Sequence, residues 1–437
     1  MNLSTVSPQL TFHTIRRPGR MLIVALLILA AAMTWRTWQS MRNSDAIDTL
    51  KLEQPTAVDL VARFQQRLAT NPDDEIAYAQ LGLALLQQVR ENGDVSLYVR
   101  AGQAFEESLK RDPQQIDALV GQGVLALALH DFAGALEWGK QAQAVNPWRA
   151  ETVGILVDGN VELGHYAEAV AAAQQMVNLR PGLESYSRVS YMRELHGDVD
   201  GAIAAMQLAV EAAVPGTESR LWTQVQLGHL YFNRGDLDTA QAVYQAALAQ
   251  RPDYIHAQAG LARIQAARGD YANAIAAYEQ ITQRLPLPEY IVALGDLYEV
   301  TDHSEKAAEQ RALVHVIQQL NASAGMNVDL ELAYFDVEYG DDPAAALAEV
   351  QAAYAERPTI YAADALAWAL YKNGRFEEAQ EYSAQALRLG MQDATLHYHA
   401  GMIAQALGHH KTAQAHLAKA REINPYFSIR HQNELNR

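Results

Sequence analysis

The chain has 437 residues, no cysteine, 49% hydrophobic residues and a formal net charge of −17, from 51 acidic against 34 basic side chains. Such a length holds two or three ordinary domains or one long solenoid, with apolar residues enough for a substantial core. Without cysteine there can be no disulfide framework, zinc–thiolate site or thiol nucleophile, and the acidic balance argues against nucleic acid as a partner, since phosphate backbones need clustered Lys and Arg.

The chain begins with a basic segment, residues 1–20, that carries Arg16, Arg17 and Arg20. Residues 21–39 follow, with a run from Met21 to Trp35 of apolar and small residues broken only by Thr34. Fifteen helical residues rise roughly 22 Å, short of the ~30 Å hydrocarbon core. As a signal anchor, the run is completed by Arg20 and Arg36 reaching outward and by Trp35 and Trp38 in the interfacial belt. As a cleaved signal peptide, it would be cut near Ala30-Ala31-Ala32. The anchor is the favoured expectation, because the basic segment is long for a cleaved signal. The arginine excess before the run then puts the N-terminus in the cytoplasm and the rest of the chain across the membrane. Residues 40–56 read as a linker.

Beyond the linker the chain repeats itself. Pro113, Pro147, Pro181 and Pro215 are spaced by 34 residues, and so are Pro252 and Pro286. Each proline closes a unit of the same internal order. In the unit ending at Pro252, Leu227-Gly228 is followed by Tyr231, Gly235, Ala240, Tyr244 and Ala247. The unit ending at Pro286 has Leu261-Ala262, Gly269, Tyr271, Ala274, Tyr278 and Ile281, and the one ending at Pro181 has Leu156, Gly164, Tyr166, Ala169, Ala173 and Met176. Apolar spacings of three and four mark helix faces. The small residues let two helices approach, the mid-unit glycines sit where the chain must turn, and the prolines stop the second helix. A lone helix is expected at Val58–Leu68, then about ten helical hairpins. Seven extra residues fall near Asn92-Gly93-Asp94, three near Gly216-Thr217, and Gln318–Asn327 reads as an irregular extension.

These offsets resemble the tetratricopeptide repeat, and the strings DALAWALYKNGRFEEA and HYHAGMIAQALGHHKTA, within Ala363–Phe427, resemble the closing repeat pair of many bacterial proteins of that family. The resemblance implies an all-α, right-handed superhelical solenoid over residues 57–427, preceded by one hydrophobic helix and followed by a tail, 428–437. It also implies a concave groove that binds a protein or peptide partner, lined by first-helix positions 2, 5, 9 and 12. Carried onto this chain, that stripe selects Trp222, Val225, His229 and Phe232 with Asn233 beside them, then His256, Ala259, Arg263 and Ala266, then Tyr361, Asp364, Trp368 and Tyr371. The candidate groove residues are Trp222, His229, Phe232, Asn233, Arg263, Tyr361, Trp368 and Tyr371; the alternative for the aromatics is packing between repeats. A clamp for a partner's terminal carboxylate, as in some family members, is disfavoured, because Val120, Val124, Gly154 and Asp158 stand at its key positions.

No cofactor, metal or catalytic residue is expected. The sequence carries no P-loop, nucleophile elbow, zinc-protease or dinucleotide motif. His397, His399, His409, His410 and His416 crowd the C-terminus, but His397 and His399 would point to roughly opposite helix faces. The expected function is a membrane-anchored scaffold that binds a partner in its groove, in assembly of an envelope or multiprotein complex. The alternatives are a soluble periplasmic or secreted binding protein and, last, a metal-handling accessory protein using the histidines.

Overall fold

A computed structural model describes residues 56–327 and 329–431. The basic segment, the apolar run 21–39 and nearly all of the linker lie outside the described residues. Among the described residues no helix is long and apolar enough to cross a membrane.

The described chain is helical throughout. A single helix, α1 (Ala57–Thr70), precedes ten hairpins. They are α2 (Glu75–Asn92) with α3 (Leu97–Arg111), α4 (Ile116–Ala128) with α5 (Phe132–Val145), α6 (Ala150–Glu162) with α7 (Tyr166–Leu179), α8 (Leu183–Leu195) with α9 (Val199–Ala212), and α10 (Glu218–Asn233) with α11 (Leu237–Gln250). There follow α12 (Ile255–Ala267) with α13 (Tyr271–Arg284), α14 (Pro288–Val300) with α15 (Ser304–Ser323), α16 (Asp329–Tyr339) with α17 (Pro343–Glu356), α18 (Ile360–Lys372) with α19 (Phe376–Ala386), and α20 (Ala394–Ala406) with α21 (His410–Ile423). The lone first helix and the ten units follow the 34-residue period. The stretch from Gln318 departs from the expectation: α15 runs on to Ser323, because Leu313, Val316 and Leu320 continue a helical stripe and nothing before Gly325 breaks it.

Short-range chemistry fixes each hairpin. In most hairpins a residue with positive φ, usually Gly, ends the first helix, and in three of them an Asp beside it caps the second: Asp131, Asp198 and Asp236 accept hydrogen bonds from backbone N–H groups of α5, α9 and α11. Packing then locks hairpin to hairpin. Tyr244 of α11 is fully buried between Gly228 of α10 and Gly260 of α12, where an added Cβ would stand 2.3 and 2.7 Å from its ring. Phe105 of α3 lies in the same way between Gly82 and Gly121. In both cases an aromatic ring from a second helix fills the space that glycine leaves on two successive first helices.

The superhelix also meets itself. The turns between first and second helices in α4–α11 lie against the loops that enter α16, α18, α20 and the tail. Asn327 donates its N–H to Leu129 O at 2.8 Å, and the His130 ring meets Asn327 O at 2.7 Å. Arg357 donates to Glu162 at 2.7 Å, Ile360 N–H to the Tyr166 hydroxyl at 2.9 Å, and Asn424 to Phe232 O at 3.0 Å. These partners are 197, 195, 194 and 192 residues apart. Behind them, Val157, Tyr166 and Leu195 share one apolar cluster with Ile360, Ala363, Met391 and Leu396.

Arg357, 8% exposed, is the ionic centre of this seam, with Glu162 on one side, Glu331 at 3.4 Å on the other and the Phe132 ring 4.4 Å below. His130 takes the position that glycine holds in most other hairpins, at φ 59°, and its seam contacts accompany that unfavourable conformation. Burial alone would lower its pKa, but the Glu331 carboxylate and the Asn327 carbonyl raise it overall.

Two glycines separate turn geometry from the seam. Gly197 and Gly374 have φ of +78° and +73°, but a Cβ on Gly197 would stand 2.3 Å from the Gly390 carbonyl oxygen, and one on Gly374 would meet nothing within 4 Å. Gly374→Ala should cost about 1 kcal/mol, the left-handed penalty alone. Gly197→Ala should cost a further ~1–3 kcal/mol, because backbone of the next superhelical turn must move. Urea melts of both variants check this; equal losses would mean that the seam contributes nothing.

Candidate functional site

The first helices of successive hairpins line a lumen of about 1390 Å³. Its wall runs through α2, α4, α6, α8, α10 and α12 and is closed by the junction of α13 and α14. The seven-residue insertion has a role here. Gly93 ends α2 with φ 74° and approaches Leu285, so the first hairpin reaches across to the sixth.

The lumen has two characters. Val89, Val95, Val124 and Leu127, with Leu285–Leu287 and Leu320, make an apolar wall. The α8–α12 side is polar, carrying Ser187, Arg188, Glu194, Gln226, His229, Asn233 and Arg263, with Trp222 among them. Trp222 is 46% exposed, and its ring meets His256 edge-on at 5.3 Å.

The charges in the polar wall are unequally matched. Arg188 is held by Asp158 at 2.5 Å, and Arg90 hydrogen-bonds Gln87. Arg263 has no hydrogen bond or ion pair among the described residues; its guanidinium lies 3.9 Å over the Phe232 ring, and burial lowers its pKa. His229 meets the Tyr244 hydroxyl through Nδ1 at 2.7 Å, and burial, with Arg263 and His256 nearby, pushes its pKa down to about 3, so the ring stays neutral. Glu194 is pushed up to about 7 by burial, against the pull of an Asn233 hydrogen bond and with the Asp393 charge adding to the rise. The lumen therefore offers a neutral imidazole, a half-ionised carboxyl and a guanidinium with free donors beside an aromatic ring.

The groove residues expected from sequence do not form one surface. Trp222, His229, Asn233 and Arg263 line the lumen. Phe232 does not; it is 1% exposed, packed beneath Arg263. Trp368 is also buried, at 3%, stacked between Tyr371 at 4.6 Å and His399 at 4.1 Å. Tyr361 is 40% exposed and does not line the lumen; its hydroxyl donates to Met391 Sδ at 3.4 Å. Phe232 and Trp368 thus take the packing role, because a flat ring at a repeat interface excludes more water there than it would in the groove. Sequence reasoning missed Glu194, Gln226 and the Leu285–Leu287 lip. The first two lie off the stripe, and the lip belongs to a connecting loop brought inward by superhelix closure.

The C-terminal histidines separate in the same way. His397 and His416 face each other at 3.0 Å, while buried His399 pairs with Asp364 at 2.9 Å. His409 and His410 are exposed at the start of α21. Among the described residues no three His, Asp or Glu side chains converge as a metal site.

Glu194 makes the lumen pH-sensitive. Its carboxyl ionises near 4.5 unfolded and near 7 folded, so between those values the folded state binds more protons and stability falls as pH rises. Glu194→Gln removes this loss. It should stabilise the protein at pH 8, by on the order of 1–3 kcal/mol, and change little below about pH 4.5. Denaturant melts at both pH values check the sign; an effect equal at the two would detach it from Glu194 ionisation.

Known proteins resemble this architecture. The tetratricopeptide repeat family model matches residues 91–147, 225–287 and 365–426. A curated relative, cellulose synthase 1 operon protein C of Komagataeibacter xylinus, is 24% identical over 225 residues, covering 49% of this chain and 14% of its own length. The chain therefore spans about one seventh of that relative. Among solved structures, a thermophilic tetratricopeptide-repeat protein of Thermus thermophilus is 25% identical with a TM-score of 0.38, over 46% of this chain and 99% of that one. Yeast Tom70 is 11% identical with a TM-score of 0.38, over 93% and 94% of the two chains. The matched segments run from the end of α2 through α5, from within α10 through α13 and from within α18 through α21, so the chain carries tetratricopeptide repeats there.

Proposed function

We propose that the chain is a scaffold that captures an extended segment of a protein partner in the lumen of its first superhelical turn. The observation that carries this is Trp222, a large half-exposed ring in a walled space beside Arg263, whose donors meet no acceptor of the described chain. Rings supply contact area at low entropic cost, and a guanidinium recognises carbonyl or carboxylate oxygens with fixed geometry. The segment's side chains would pack on the Val124–Leu127 and Leu285–Leu287 wall, while its polar groups meet Gln226, Asn233 and Arg263.

In this reading the scaffold is tethered to a membrane by residues 21–39, with the repeats on the extracytoplasmic side, and serves in assembly of an envelope or multiprotein complex. The arginine asymmetry about the apolar run supports that orientation. The curated relative carries the name of a cellulose synthase operon, which is in keeping with a scaffold that works beside an enzyme complex. A periplasmic protein released by signal cleavage is the second reading, supported by Ala30-Ala31-Ala32. N-terminal sequencing of the mature protein separates the two: a start after that tract removes the anchor.

Crosslinking in native membranes, followed by mass spectrometry, identifies the partner. Trp222→Ala should then weaken its capture about tenfold or more while the protein keeps its stability, since that ring is half solvated. Phe232→Ala, in the core, should instead cost about 3–5 kcal/mol of stability. If Trp222→Ala leaves capture intact, the lumen is not the binding site.

A further inference from the structure

The C-terminal tail does not trail away from the array. After α21 ends at Ile423, Asn424 is pinned to Phe232 O, and the chain runs on without regular structure. Its side chains settle on first helices of the later hairpins. Ile429 packs on the apolar cluster of α12–α15, and Phe427 meets the Tyr398 ring of α20 at 5.4 Å. Arg430 donates to Glu338 of α16 at 2.6 Å and lies 4.9 Å over the Tyr339 ring. His431 stacks on Tyr398 at 4.9 Å and reaches the same Glu338 oxygen at 3.3 Å.

The receiving surface is polar and shaped. The side chain of Glu338 is 11% exposed; it also accepts from Trp368 Nε1 at 2.8 Å and has Lys372 at 3.5 Å. Asp296 of α14 accepts from the Tyr339 hydroxyl at 3.0 Å. Glu338 and the rings of Tyr339 and Tyr398, with the apolar cluster of α12–α15, thus hold an aromatic residue, an aliphatic residue and an arginine in the order Phe427, Ile429, Arg430, while Asp296 and Trp368 fix Tyr339 and Glu338 in place. First helices of the earlier hairpins form the lumen wall, so the tail occupies the equivalent face further along the array. A segment without helix or strand, anchored by two apolar side chains and one largely shielded arginine, is held as peptide ligands are held in grooves.

We propose that this face is a second peptide-binding cleft and that the tail is its tethered occupant, displaced by a partner segment with an aromatic, an aliphatic and an arginine in the same order. The proposal rests on the protein-binding reading above but on a different site, so it can fail while the lumen stands. A short tether gives the tail an effective concentration in the millimolar range, so a free segment competes poorly until the tail is weakened. A cleft free for only a small fraction of the time shows an apparent affinity reduced by that fraction.

The test uses the full chain and a fluorescent peptide with the sequence of residues 424–437, followed by anisotropy. The Ile429→Ala, Arg430→Ala double variant should bind the peptide at least tenfold more tightly than the unaltered chain. A peptide with Glu at the position of Arg430 should not bind, and Glu338→Gln in the double variant should abolish the gain. Circular dichroism establishes that the double variant is folded; should it not be, Arg430→Gln, which keeps the apolar contacts, takes its place with a smaller gain in the same direction. A folded variant that binds the peptide no better than the unaltered chain would overturn the proposal and leave the tail a structural cap. Gain of a dimer by the unaltered chain, dissolved by Glu338→Gln, would overturn it too, because the occupant would be a second copy's tail. Trp222→Ala should leave peptide binding unchanged.

Discussion

The contact between one superhelical turn and the next governs the rest of the described structure. A solenoid of hairpins needs only its neighbours, and each repeat interface here is satisfied by local chemistry. The added constraint is that turns about 194 residues apart touch, through Arg357 between Glu162 and Glu331, Ile360 on Tyr166, and Asn424 on Phe232. Once those contacts form, the first helices must curve enough to enclose space, and a groove open in a looser array becomes a lumen. The seam is not a row of surface ion pairs. Arg357 and His130 are largely withdrawn from water, so they must be paired or bear desolvation unaided.

That enclosure sets the chemistry of the lumen. In open water Glu194 would be an ordinary carboxylate and His229 an ordinary imidazole. Inside the ring, burial raises one to about 7 and lowers the other to about 3, while Arg263 keeps its charge without an opposite partner. The polar half of the lumen is thus less acidic in effect than its residues suggest. The same closure brings Leu285–Leu287 opposite Gly93 and gives the space an apolar side. An amphipathic space suits a segment of polypeptide better than a small charged metabolite.

Superhelix closure also explains why aromatic residues at equivalent repeat positions have different fates. Trp222 and Phe232 lie on one stripe of α10, yet the first stands in the lumen and the second is sealed by Arg263. Trp368 lies at the position that His229 holds in its own repeat, but it stacks between Tyr371 and His399 and donates to Glu338. A helical stripe specifies a face, while exposure on that face depends on what neighbouring repeats and the tail lay over it.

The hairpins are encoded in local residue order. Glycine at left-handed turns, aspartate caps, prolines every 34 residues and the small residues that admit Tyr244 act within a repeat or between neighbours, so their spacing was legible without coordinates. Even the starting helix and the insertion at Gly93 could be read from breaks in the period. The helical run through Gln318–Ser323 was hidden because it carries the second helix past the length that the 34-residue period allots, although nothing before Gly325 stops a helix. The seam, the lumen and the seating of Phe427–His431 arise only in three dimensions. Each joins residues roughly 90 to 200 positions apart through a small angular increment per repeat, summed over several repeats. No local pattern encodes that sum, and a change of a few degrees at each interface would separate Arg357 from Glu162 and leave every hairpin intact.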